Sequence, residues 1–116
     1  MKAPTRPGKK RYPLAGKVVL ITGAGRGLGA ATADTLARRG AHVVVADIDQ
    51  LSAQRVVATL PHARGLALTC DVTQLDSVQD AVARTVEEFG GIDVVIANAG
   101  IMGRGATLRA LEPAEV

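Results

Sequence analysis

At 116 residues, 47% of them hydrophobic, the chain is long enough for one domain with a sizeable core, and with only one Tyr and one Phe that core must be aliphatic. The single cysteine, Cys70, excludes an internal disulfide and suits a reducing compartment; no apolar run reaches the length of a membrane span and no apolar signal-peptide core opens the chain, so a cytoplasmic location is expected. The net charge of +3 divides unevenly: Lys2, Arg6, Lys9, Lys10 and Arg11 precede every acidic residue, while the remaining nine basic and eleven acidic residues sum to −2, which argues against a nucleic-acid-binding face behind the tail.

Residues 1–13 mix Pro4, Pro7, Gly8 and Pro13 with those basic residues and read as a disordered, solubilising tail; without aromatic interleaving, nucleic-acid or membrane contact is the weaker reading. The domain is expected over residues 14–116. Val18–Ile21 is a short β-branched run between Gly16 and Gly23 and predicts a buried strand. A glycine-rich turn follows, and Leu28–Arg39 then carries Leu28, Ala31, Thr32, Thr35 and Leu36 at helical spacing before Gly40. His42–Asp47 is apolar without alternation, as a parallel strand covered on both faces should be. Asp49 is placed to cap a helix over about Leu51–Leu60, closed by Pro61. Gly65–Cys70 reads as a third strand. Thr73-x-x-Asp76 resembles a capping box, opening a helix with the apolar stripe Leu75, Val78, Val82, Val86 and Phe89, ended by Gly90-Gly91. Ile92–Ala97 is a fourth, almost wholly apolar strand; beyond it lie a glycine-rich loop, Ile101–Gly105, and a possible helix start near Glu112–Val116. Alternating strands and helices joined by right-handed crossovers predict an α/β fold, the N-terminal half of a three-layer, Rossmann-type doubly wound parallel sheet with strand order 3-2-1-4.

Strand, glycine turn and helix occur in the order a dinucleotide site requires. Glycines let backbone N–H groups approach a pyrophosphate at the helix N-terminus, where the partial positive charge favours an anion, and a small residue at Gly29 lets the helix lie close on the strand. Gly23, Gly25, Arg26, Gly27, Leu28 and Gly29 are the candidate residues of this loop. Asp47 ends the second strand, where an acidic residue hydrogen-bonds ribose hydroxyls; a helix cap or a solvated turn charge is the competing reading. His42 and His62 have no ligand-spaced neighbours, so no metal site is assigned, and Cys70 reads as a small buried apolar residue.

Thr22-Gly23-(x3)-Gly27-x-Gly29 resembles the Thr-Gly-x-x-x-Gly-x-Gly signature of the short-chain dehydrogenase/reductase family. Asp71-Val72 resembles the pair that contacts the adenine ring there, although Asp71 could equally serve as a turn residue before a helix. Asn98-Ala99-Gly100 resembles the latter part of the family's Asn-Asn-Ala-Gly motif, with Ala97 in place of the first Asn and hence one fewer side-chain amide to tie strands together. The resemblance covers residues 15–116. It implies a nicotinamide dinucleotide cofactor and an oxidoreductase acting on a small-molecule alcohol or carbonyl substrate when a C-terminal half is present. NAD is expected over NADP because the Asp47 carboxylate repels a 2′-phosphate, with Arg26, a basic residue of the glycine loop that can reach that phosphate, as the weaker counter-argument. No nucleic-acid or membrane partner is implied, and the complete protein is expected to be a homo-oligomer.

The family's chemistry relies on Tyr-x-x-x-Lys, with Ser and Asn beside it, all downstream of the Asn-Ala-Gly motif. Here the only tyrosine, Tyr12, is followed by Gly16 four residues later, every lysine lies at or before Lys17, and Ser52 and Ser77 fall in predicted helices. The 116 residues alone are therefore expected to lack dehydrogenase activity. The alternative readings are a non-catalytic nucleotide-binding or interaction module, such as the remnant of a truncated gene, and, more distantly, an S-adenosylmethionine methyltransferase, against which Thr22-Gly23 and Asn98-Ala99-Gly100 argue. An in-frame Tyr-x-x-x-Lys in the coding sequence beyond Val116 separates enzyme from remnant.

Because the tail has no apolar periodicity, deleting residues 1–12 should leave thermal stability and nucleotide affinity unchanged. A loss above about 1 kcal/mol, more than ordinary surface substitutions produce, overturns this.

Overall fold

The computed structural model describes residues 14–61 and 65–98. The tail, His62, Ala99, Gly100, the loop from Ile101 and the helix start near Glu112 lie outside the described residues. The element order is β1 (Val18–Thr22), α1 (Gly27–Arg38), β2 (His42–Asp47), α2 (Gln50–Thr59), β3 (Gly65–Thr69), α3 (Leu75–Phe89) and β4 (Val94–Ala97). All pairings are parallel, in the order β3-β2-β1-β4, as the alternation of elements predicts.

Two apolar layers sandwich the sheet. Val19, Ile21, Val43 and Val45 meet Ala33 and Ala37 of α1 and Ala53 of α2 on one face; Leu20, Val44, Ala46 and Leu68 meet Ala81, Val78 and Phe89 of α3 on the other. This is why β1 and β2 read as unbroken apolar runs: successive side chains alternate between two buried layers. Each fully buried Val or Ile here contributes on the order of 1.5–3 kcal/mol.

Helix faces differ from the sequence expectation. The inward row of α1 is Gly29, Ala33 and Ala37, while Leu28 is exposed and Thr32 and Thr35 bond back to the carbonyls of Leu28 and Ala31. Small residues face the sheet because the helix lies too close to it for larger ones. In α3 the buried residues are Ala81 and Thr85, flanked by Val78 and Phe89; Leu75, Val82 and Val86 of the expected stripe are exposed. The expected capping box is also absent. Gln74, not Thr73, is the N-cap of α3 and makes no side-chain cap bond, while the Thr73 hydroxyl donates to Asp71 Oδ1 at 2.6 Å. Asp49 does cap α2, accepting from the Ser52 amide at 3.2 Å.

β4 begins two residues later than its apolar run suggests. Asp93 bonds β1 with both its amide and its side chain: its N–H donates to the Val18 carbonyl at 2.9 Å, and its Oδ2 accepts from the Val18 amide at 2.8 Å. The ladder proper then starts at Val19↔Val94. At the opposite side of the strands' N-terminal end, His42 stacks on Phe89 with ring centroids 5.2 Å apart, and its Nδ1 is buried without a hydrogen-bond partner.

Among the described strands β4 pairs only with β1, and Val95 is 58% exposed beside it. Asp93, its one flanking charge, is committed to β1, so no charge or proline blunts the strand. The 116-residue chain by itself should self-associate on size-exclusion chromatography, and Val95→Lys should shift it towards monomer. A monomeric parent chain with sharp, cooperative unfolding overturns this.

Candidate functional site: a cleft at the strand C-termini

The C-terminal ends of all four strands converge on a cleft of about 380 Å³, lined by Gly23, Arg26, Asp47, Ile48, Cys70, Asp71, Val72 and Asn98. In an open parallel sheet this is where ligands bind, at the point where the chain order reverses between β1 and β4.

The glycine loop forms the floor. Gly23 and Gly27 have φ of 65° and 57°, in the left-handed region. Gly29 is needed for closeness rather than conformation: a Cβ there would stand 2.5 Å from the Gly23 carbonyl oxygen, 2.6 Å from Asn98 Nδ2 and 2.9 Å from Ala24 Cα. A Cβ on Gly25 would likewise meet Asp47 Oδ2 at 2.8 Å. Behind the loop, α1 starts with extended Arg26 as N-cap, no side-chain cap and no acidic residue in its first turn. Its leading N–H groups and the positive end of its dipole are thus left to whatever anion the cleft receives.

Asp47 is buried, yet it lines the cleft. Its Oδ2 accepts from the Gly25 amide and its Oδ1 from the Asp49 amide, each at 2.9 Å. Two backbone donors therefore hold the carboxylate in place, and about two of its four lone-pair sites remain for a ligand. Asp71, at the end of β3, also serves two ends. Its Oδ1 accepts from the Thr73 hydroxyl and amide, and its own amide donates to Ser77 Oγ at 2.8 Å. The Thr73 hydroxyl, then the Thr73 amide, hold this carboxyl below its ordinary range. Cys70 is buried, as expected, and burial pushes its thiol pKa up.

Asn98 closes the far wall. Its amide N–H donates to Thr22 Oγ1 at 3.1 Å and its Nδ2 to the Gly23 carbonyl at 3.2 Å. One asparagine thus ties the end of β4 to the glycine loop although Ala97 precedes it.

Gly23, Arg26, Asp47, Asp71, Val72 and Asn98 of the expected site line one cleft. Gly25, Gly27, Leu28 and Gly29 shape the loop beneath it without lining it, and Ala99 and Gly100 lie outside the described residues. Ile48 and the wall position of Cys70 are additions. Ile48, 66% exposed between Asp47 and Asp49, belongs to no binding motif that the sequence displays. Among the described residues no group of acidic, histidine or cysteine side chains could hold a metal ion.

A family model described as short chain dehydrogenase matches residues 17–115. The chain belongs to the short-chain dehydrogenase/reductase family. It is 48% identical over 86 residues to the short-chain reductase protein NovJ of Streptomyces niveus, covering 72% of this chain and 33% of that one. To the cis-4-hydroxycyclohexanecarboxylate dehydrogenase of Sinomonas cyclohexanicum it is 45% identical over 100 residues, 84% of this chain and 40% of that one. Among solved structures it is similar to 3-ketoacyl-(acyl-carrier-protein) reductase from Brucella melitensis complexed with NADH, with TM-score 0.67 and 40% identity, covering 71% of this chain and 33% of that one. It also resembles hydroxysteroid dehydrogenase from Escherichia coli, with TM-score 0.75 and 34% identity over 82% of this chain and 40% of that one. The chain therefore spans between a third and two fifths of the length of these relatives.

Close packing at Gly29 makes a direct prediction. Gly29→Ala forces a methyl group onto backbone atoms that cannot turn aside, and overpacking of this kind costs about 1–3 kcal/mol. Urea denaturation should show that loss; an unchanged midpoint overturns the close-packing account.

Proposed function

We propose that residues 14–116 are the dinucleotide-binding portion of an NAD-dependent oxidoreductase acting on an alcohol or carbonyl substrate. The observation that carries this reading is the pairing, across one cleft, of an uncapped helix N-terminus with the fixed Asp47 carboxylate. The pyrophosphate belongs at the loop of Gly25, Arg26, Gly27, Leu28 and Gly29, where the first turn of α1 has no side-chain cap, while the Gly25 amide is given to Asp47. The adenosine ribose belongs at the free lone pairs of Asp47. Asp71 and Val72, with Ile48 beside them in the cleft, are assigned to the adenine ring, and Asn98 to the nicotinamide half; Ala99 and Gly100 join it by the motif alone. When bound, NAD supplies hydride exchange at its nicotinamide ring; the residues here bind and orient it. The Brucella melitensis relative, solved with NADH, supports the choice of cofactor class. The acid–base groups and substrate contacts are assigned to sequence that follows this portion, and the complete protein to a cytoplasmic homo-oligomer. No helix among the described residues is long and apolar enough to cross a membrane.

The Asp47 carboxylate favours NAD over NADP. A 2′-phosphate at ~4 Å from it meets a repulsion of about 1 kcal/mol in water and about 4 at an effective dielectric of 20. NADP also forfeits a charge-assisted hydrogen bond of roughly 1.5–3 kcal/mol. Together these give a preference on the order of 100-fold even at their low ends.

Calorimetry with NADH and NADPH should show that preference, and Asp47→Ala should collapse it. The same variant should weaken both cofactors, since the Gly25 amide loses its acceptor. Equal affinities in the parent protein, or a ratio that Asp47→Ala leaves unaltered, overturn the assignment.

A further inference from the structure

Among the described residues, Arg26 is the one cationic side chain lining the cleft. A guanidinium in that place is a ready partner for a phosphate, and by itself it would work against the discrimination Asp47 provides. It is already engaged. Its Nη2 lies 3.2 Å from Asp49 Oδ2 and 3.5 Å from Ser52 Oγ. Asp49 is itself held: Ser52 Oγ donates to its Oδ2 at 2.8 Å and the Ser52 amide to its Oδ1. The first turn of α2 thus presents a pre-set acceptor to a side chain that belongs to the glycine loop.

We propose that Asp49 is a positioning residue for cofactor choice: by pairing with Arg26 at the rim of the cleft, it keeps the guanidinium from serving a ribose 2′-phosphate. The inference rests on the dinucleotide reading above. Two carboxylates then act on the 2′-position by different routes. Asp47 faces the ribose directly; Asp49 faces it through Arg26.

The geometry explains why an exposed pair suffices. The Arg26 and Asp49 side chains are 72% and 41% exposed, so their attraction is small and a strongly bound phosphate could compete for the guanidinium. The pair therefore biases cofactor choice by a modest factor rather than deciding it.

Asp49→Asn tests this cleanly, because asparagine caps a helix as well as aspartate does while losing the charge that holds Arg26. Asp49→Ser, also a good cap, is the second variant. NADH and NADPH are the probes, titrated against the full chain by calorimetry. Both variants should tighten NADPH about five-fold, the scale of one exposed ion pair, with NADH changed less than about two-fold. In an Arg26→Gln background the same substitutions should leave the NADPH-to-NADH ratio where Arg26→Gln alone puts it. A ratio unmoved by both Asp49 variants overturns the proposal. So does an equal gain with and without Arg26, which assigns the effect to the Asp49 charge alone. If the parent protein binds neither dinucleotide, the cofactor reading itself fails and takes this inference with it, a result distinct from binding with an unmoved ratio.

Discussion

The structure depends on how closely α1 lies against the turn that leaves β1. Three backbone and side-chain groups, the Gly23 carbonyl, Ala24 Cα and the Asn98 amide, occupy the space where a side chain at position 29 would project. That contact sets the height of the helix over the sheet, which in turn explains the inward row of Gly29, Ala33 and Ala37. It also brings the unsatisfied N–H groups of the helix to the mouth of the cleft instead of leaving them a side chain's width away. The close packing of α1 and the placing of its uncapped N-terminus are here one geometrical fact.

Asp47 carries the same economy into electrostatics. A buried carboxylate without partners would be costly, and this one is stabilised by two backbone amides from different loops. The Gly25 amide links it to the turn after β1 and the Asp49 amide to the start of α2. A ligand approaching the remaining lone pairs meets an acceptor whose direction is already fixed, so little ordering is left to occur on binding.

The sheet was largely legible in the sequence, and so was the outline of the site. Runs such as His42–Asp47 can only be strands covered on both faces, and their order follows from handed crossovers. What periodicity could not supply was which face of a helix is inward when that face is made of small residues. Leu28 and Leu75 look like core and are solvent-exposed, because Gly29, Ala33, Ala81 and Thr85 allow closer approach than any leucine. Side chains that replace backbone partners were equally hidden. Asp93 mimics a ladder partner for Val18, and Thr73 turns to Asp71 rather than to the helix it precedes. In the site, Ile48 and the wall position of Cys70 belong to no polar motif and emerge only when strand ends are brought together.

The bonds from Asn98 to Thr22 and Gly23 join residues 76 and 75 positions apart. Local sequence can form the turn after β1 early, but its last two anchors arrive only when β4 has found β1 across the intervening helices and strands. Loop-closure entropy must be met before those bonds form, and parallel pairings of this range are slow. A nascent chain emerging residue by residue would thus carry a glycine turn still lacking its Asn98 ties until the fourth strand is made, and the cleft would be completed among the last parts of this sheet rather than the first.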